Sequence, residues 1–230
     1  MKILDLSQTL VDKMPVFPQD PDFSLEEILN SEKDGFTISL IKTGLHTGTH
    51  IDSPYHFYSD GRKIDEIKLY ELIGPLNLID TTNSLNKPVN ILDNSSKDVL
   101  KAKKGSSYRQ INVSEFKNVK KGDIVVVKTN WSKNWGLNNY FTQNPYLSEE
   151  SAEFLIKKEI TGLGIDAPSV DTLGKTLIHE KLLLNDIWIV ENLKNLELIP
   201  HNTENLEFFC IPLPIKCEAS PVRAFIKWII

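Results

Sequence analysis

The sequence predicts a sheet-rich α/β or α+β fold, with a sheet able to curl into a barrel and helices packed outside it. Three observations carry this. Short apolar runs, β-branched or alternating, recur along the whole chain. Stretches with helical spacing are few and are separated by those runs. With 40% hydrophobic and 25% charged residues, the chain has the composition of a globular protein with a sizeable core. Its 230 residues suit one large domain, 1–230, better than two small ones.

In chain order, "KILDLSQTL" reads as a first strand and "MPVFPQDPDF" as a proline-punctuated loop. "FTISLIKTG" alternates and is β-branched, which predicts a strand. "SDGRKID" is a turn, and "IDEIKLYELIG" has helical spacing and a glycine stop. "PLNLIDTT" is a strand candidate. Residues 82–110, rich in Asn, Ser and Lys, read as an exposed excursion rather than a domain boundary. "NVSEFKNVKKGD" gives a short helix and a turn, and "DIVVVKTNW" a buried strand. "LSEESAEFLIKKEI" is a helix: Ser148 can cap it, acids fill its first turn and lysines sit near its end. "TGLGIDAP" predicts a short strand, "HEKLLLND" one or two helical turns, and "IWIVENL", "LEFFCIPLPIK" and "VRAFIKWII" three more strands.

Charge and composition exclude several classes. The net charge is −5 and the lysine pairs are scattered, so no basic stripe exists to track a nucleic acid. The first residues lack the apolar run of a secretory signal, and no stretch is long enough to span a membrane. Cys210 and Cys217 would point to opposite faces of an extended segment, which predicts two reduced, buried thiols and a cytoplasmic protein.

"HTGTHIDSPYHF", residues 46–57, holds three of the five histidines. His46, His50, Asp52 and His56 are four, two and four residues apart. Even spacing lets His46, His50 and Asp52 converge from one side of an extended chain. Thr47, Gly48 and Thr49 form helix poorly, and Pro54 breaks a strand, so His56 would approach from a bend. Two imidazoles and a carboxylate are a first shell for a divalent ion such as Zn, Mn or Fe. The plain alternative is a buried network of hydrogen-bonded histidines. Three histidines interleaved with Asp52 in so short a span favour a metal or catalytic role.

The same stretch, followed by "DGRKIDEI", resembles the signature of the cyclase-like metal-dependent hydrolase family, which includes bacterial kynurenine formamidases (arylformamidases) and isatin hydrolases. "GIDAPSVD" at 164–171, "HEKLLLNDIWIVENL" at 179–193 and "SPVRAFI" near the C-terminus are similar to later segments of that family. The resemblance implies the family's fold, a mixed barrel-like sheet with flanking helices, of swivelling β/β/α type. It implies that His46, His50, Asp52, His179 and Glu191 bind one or two divalent ions, with Zn first and Mn as the alternative. Asp52 would bridge, Glu191 could bridge, and His56 would be the general acid/base. It also implies a homodimer or higher homo-oligomer acting on a small-molecule substrate. The expected activity is arylformamidase, on N-formyl-kynurenine, as in tryptophan degradation. Two alternatives stand beside it: hydrolysis of another amide, lactam or cyclic carbonyl compound such as isatin, and metal binding without catalysis.

Phe17 falls where the kynurenine formamidases carry a tryptophan against the substrate, and Gln19 replaces a usual glycine. Phe17 therefore reads as a substrate contact or, equally, a core plug. Asp166 and Asp171 read as structural, His201 as a surface-loop residue, and Arg223 as the partner of a buried carboxylate.

Overall fold

The computed structural model describes residues 1–85, 109–200 and 203–229. His201 and most of the 82–110 excursion lie outside the described residues. Seven strands close a ring: β4 (His50–Asp52), β5 (Ile73–Asp80), β7 (Ile124–Lys128), β9 (Gly162–Ile165), β10 (Trp188–Glu191), β11 (Glu207–Pro212) and β12 (Ala219–Trp228). Their order is β12–β11–β5–β7–β9–β10–β4, and β4 pairs back onto β12. The β5–β7–β9–β10 run is parallel and the other pairings are antiparallel. β1 (Lys2–Asp5) adds to the far end of β12, β6 (Gln110–Ile111) pairs with β8 (Tyr146–Leu147) apart from the ring, and α1 (Ser31–Asp34) and α2 (Thr82–Leu85) are single turns. This is the mixed, barrel-like sheet expected, with α3 (Glu149–Lys157) and α4 (Leu177–Leu184) packed outside it.

Side-chain alternation along the ring sorts the core into two layers. Ile51, Ile124, Val126, Trp188 and Val190 fill the lumen with Phe208 and Ala224. Val125, Val127, Leu163, Ile165 and Ile189 face outward against Leu155 of α3 and Leu182 of α4. A strand buried on both faces reads as a continuous apolar run, and all five residues of β7, "IVVVK", are buried. α3 begins as expected, with the Ser148 hydroxyl accepting from the Ser151 amide at 3.1 Å.

Two expectations need correction, and the strand expected at "FTISLIKTG" is present but off the barrel. "IDEIKLYELIG" is not a helix but two 3-10 turns, Ile64–Glu66 and Leu69–Glu71, with Gly74 already inside β5. The Glu66 and Glu71 carboxylates accept from the Lys63 and Lys68 amides at 2.8 and 2.9 Å, closing each turn on itself. The backbone straightens at Ile67 between them. "FTISLIKTG" forms β3 (Ile38–Lys42), but this strand pairs only with β2 (Ser24–Leu29), off the barrel. The resulting arm leaves Leu25, Ile28, Phe36, Ile38, Leu40 and Ile41 exposed, so its alternation marks no buried face of the body. Arg223 makes a two-pronged pair with Asp5 at 3.0 and 2.8 Å, but both groups are solvent-exposed and no buried carboxylate is involved. Cys210 is buried and Cys217 half-buried, and both are free.

In β9, Gly162 lies beside Trp188 of β10 in register. A Cβ at Gly162 would sit 2.2 Å from the indole ring. The indole thus occupies the lumen space that a side chain at 162 would need. Gly162→Ala should cost about 3 kcal/mol by overpacking. That corresponds to a fall in Tm of roughly 6–12 °C for a chain of this size. A melting curve within 2 °C of the parent would show that the lumen is loosely packed here.

Candidate metal centre

The site lies on the outer face of the barrel, at the carboxyl end of the parallel strands. Ligands of open α/β sheets collect at this end. His50 and Asp52 flank Ile51 on β4. Ile51 points into the lumen, so its neighbours point out. In the β10–β4 ladder Glu191 stands directly opposite His50, on the same face. His50 Nε2 is 3.6 Å from both Asp52 Oδ1 and Glu191 Oε2. α4 lays His179 across the two strands, with its Nε2 3.1 Å from Glu191 Oε1 and 3.6 Å from Asp52 Oδ2.

His46 is not on the strand, contrary to the single-sided alignment expected. It sits in a turn that re-enters β4 through Gly48, at φ +64°. A Cβ at Gly48 would come within 2.8 Å of Leu10. The turn brings His46 Nδ1 to 2.9 Å from Asp52 Oδ1. His56 ends the 3-10 turn Pro54–His56, the bend that Pro54 predicted. Its ring lies 4.4 Å from that of His46 and 6.3 Å from that of His179.

Two donor sets result, His46–His50–Asp52 and Asp52–His179–Glu191, each with ligand atoms within 4.8 Å of one another. Asp52 belongs to both. Its Oδ1 is buried without an aligned hydrogen-bond partner among the described residues. It faces His46 and His50 at 2.9 and 3.6 Å, and a buried carboxylate is costly unless positive charge completes its surroundings. The imidazole and carboxylate donors suit a divalent transition metal, so the residues present fit such an ion.

The electrostatics agree. Burial works against protonation of His46, yet Asp52 first, then Glu191 and Asp20, raise its pKa to about 9. Burial likewise opposes a charged His179, and Glu191 and Asp171 override it, holding the ring well above its ordinary value. Asp52 is held well below the carboxylate range, because His46 and His50 outweigh its burial. The carboxylates of this cluster therefore demand positive charge. His56 differs: burial, with His46 and His179 adding to it, lowers it to about 4, against the pull of Asp52. At neutral pH it keeps a free lone pair.

A second ring of contacts aims the ligands. His50 Nδ1–H donates to the Gly48 carbonyl at 2.9 Å, leaving Nε2 for an ion. His179 Nδ1–H donates to Asp171 Oδ2 at 2.8 Å, and Asp171 also accepts the Ile178 and His179 amides at 3.0 to 3.1 Å. Asp171 thus ties the first turn of α4 to the ligand that α4 carries, a role beyond the structural one expected for it. Asp166 keeps the expected role, accepting from Thr129 and Asn130 in the turn after β7. Asn192 was not singled out in the sequence. Its Nδ2 donates to the Gly48 carbonyl, its Oδ1 accepts from buried Tyr140, and its backbone oxygen accepts from Thr49.

A cavity of about 280 Å³ opens onto these groups. Phe17, Phe57, Trp135 and Phe141 supply aromatic wall, so Phe17 faces the cavity. Its ring packs edge-on against Phe141 at 5.7 Å. Residues 17–20 form a tight turn, with the Asp20 amide donating to the Phe17 carbonyl at 3.0 Å and Gln19 at φ +83°. That backbone conformation favours glycine, which explains why the family pattern has one there.

Comparison with known proteins places this geometry. A kynurenine formamidase of Bacillus cytotoxicus is 29% identical over 229 residues, covering 97% of this chain and 96% of the relative. Isatin hydrolase A from Labrenzia aggregata superposes with a TM-score of 0.80 at 24% identity, over 98% of this chain and 93% of that one. A predicted metal-dependent hydrolase from Bacillus stearothermophilus gives 0.72 at 26% identity, over 98% and 97%. The Cyclase family model, described as "Putative cyclase", matches residues 4–172, and the chain belongs to that family.

Proposed function

We propose that this protein is a metal-dependent amide hydrolase that removes the formyl group from N-formyl-kynurenine. The observation that carries the reading is the Asp52 carboxylate shared by two donor sets, with His56 beside them and in neither. A structural metal site is closed by its protein ligands and needs no spare base. The relatives named kynurenine formamidase, matched over nearly their whole length, supply the substrate. His46, His50, Asp52, His179 and Glu191 hold one or two divalent ions, and we infer zinc, with manganese the alternative for the same mixed donors.

When bound, the ion supplies Lewis acidity: it makes water acidic enough to deprotonate near neutral pH and polarises a carbonyl. The chain does the rest. The aromatic wall of Phe17, Phe57, Trp135 and Phe141 clamps the aryl ring. His56, neutral at pH 7, accepts a proton from water as its oxygen adds to the formyl carbon. The same imidazolium then gives that proton to the aryl nitrogen as the C–N bond breaks. The products are formate and the free arylamine. Phe17 and Gln19, where the formamidases differ, favour a second reading within the same chemistry: another arylamide or a lactam such as isatin.

We also propose a cytoplasmic protein that self-associates through the β2–β3 arm. Two strands alone are marginal in water, and six large apolar side chains are bare on this hairpin. A second copy laid on the arm would bury them.

Four measurements test these readings. Metal-analysed protein should deformylate N-formyl-L-kynurenine faster than it opens isatin, and a chelator should abolish both; isatin turnover alone would move the substrate to lactams. His56→Ala should lower kcat roughly 10²–10⁴-fold with metal retained, whereas Asp52→Ala should lose metal and activity together. Loss of metal from the His56 variant would reassign His56 as a ligand. Asp171→Asn removes the charge behind His179 and leaves one accepting oxygen where two carboxylate oxygens accept, and should weaken metal binding about 10-fold or more in a chelator competition. For the arm, the double variant Leu40→Glu, Ile41→Glu should convert an oligomer to a monomer in light scattering; a parent that is already monomeric would refute self-association.

A further inference from the structure

Among the described residues, the catalytic cavity is lined by three carboxylates, Asp20, Asp52 and Glu191, and by a single Lys or Arg, Lys175. Asp52 and Glu191 are committed to the donor sets. Lys175 is committed to nothing: its ammonium has no ion pair or hydrogen-bond partner among the described residues.

Its backbone is nevertheless well placed. Lys175 sits between Asp171, which holds His179, and α4, which carries it. The Lys175 amide donates to the Thr172 carbonyl at 2.9 Å, and Gly174 takes φ +77° to form the turn. The exposed Lys175 side chain is therefore carried at the cavity by the same segment that bears His179. A free cation at the rim of a cavity with aromatic walls is a receptor for an anion attached to an aromatic ring.

We propose that Lys175 binds the carboxylate of the substrate, making the protein selective for N-acyl arylamines that bear a carboxylate on their side chain. This rests on the amide-hydrolase reading of the same cavity. In N-formyl-L-kynurenine the formamide sits on the ring carbon next to the ketone, and the flexible chain beyond that ketone ends in the amino-acid carboxylate. With the formamide at the donor sets and the ring against the aromatic wall, that chain is long enough to carry its carboxylate away from the donor sets to Lys175. Charge recognition there adds specificity without touching the bond that breaks, so its loss falls on KM rather than kcat.

The test compares N-formyl-L-kynurenine with its decarboxylated analogue, N-formyl-kynuramine, in the metal-loaded parent and in Lys175→Ala, Lys175→Arg and Lys175→Glu. Lys175→Ala should raise KM about tenfold or more for the carboxylated compound, with kcat within about twofold and the analogue unaffected. Lys175→Arg should restore most of the loss, and Lys175→Glu should invert the preference between the two compounds. Equal effects on both compounds, or none on either, would overturn the assignment. Calorimetric binding of L-kynurenine against kynuramine separates this inference from the reaction. Lys175-dependent preference for L-kynurenine without turnover would sink the formamidase reading and keep the carboxylate receptor. Turnover with Lys175-independent binding would do the reverse, and an absence of both binding and turnover would sink the two together.

Discussion

The Asp52 carboxylate is the constraint on which the rest of the structure depends. It is almost wholly buried, it stands within 3.6 Å of His46, His50 and His179, and one of its oxygens has no aligned hydrogen bond among the described residues. A carboxylate in that setting is expensive unless positive charge completes it. The chain does not complete it with arginine or lysine. It surrounds the carboxylate with imidazoles, whose lone pairs can serve an ion or whose protons can replace one. A fixed cation pair would make a stable core, but it would leave no place for chemistry.

Holding that arrangement falls to the barrel. β4 is only three residues long, yet it is paired on both sides, by β10 and by β12. Its register sets Glu191 opposite His50 and sends Ile51 into the lumen. A slip of one residue would bury both ligands among the lumen side chains and expose Ile51. The outer supports are equally short-range. Asn192 and His50 share the Gly48 carbonyl, and Asp171 joins the start of α4 to His179. The site is thus braced at each approach by an element that also belongs to the fold.

The contiguous part of the candidate site was legible in the sequence because four of its side chains lie within eleven residues and their spacing is itself informative. His179 and Glu191 were reachable only through the family resemblance, since a lone histidine on a helix and an acid ending a strand look alike in many cores. Asp171 read only as structural, and Asn192 and Tyr140 left no signal, because their roles come from contacts across the fold: Tyr140 reaches Asn192 over fifty-two positions. The barrel strands were legible from their apolar runs. The arm was not, because alternation in "FTISLIKTG" looks the same whether one face is buried or both are bare. The 64–71 stretch misled for a related reason: Ile64, Ile67 and Leu72 do pack together, but from two separate turns rather than from one helix face.

The central claim, that the buried cluster around Asp52 is built for a divalent ion, is tested most directly by thermal unfolding of metal-stripped protein titrated with zinc or manganese. Binding at a hundredfold over Kd should add about 2.7 kcal/mol of stability. At this chain length that is a rise in Tm of roughly 5–10 °C. Asp52→Asn should remove the rise. A Tm that does not move with either metal, or that moves equally in Asp52→Asn, would mean that the histidines and carboxylates satisfy one another and that no ion belongs among them.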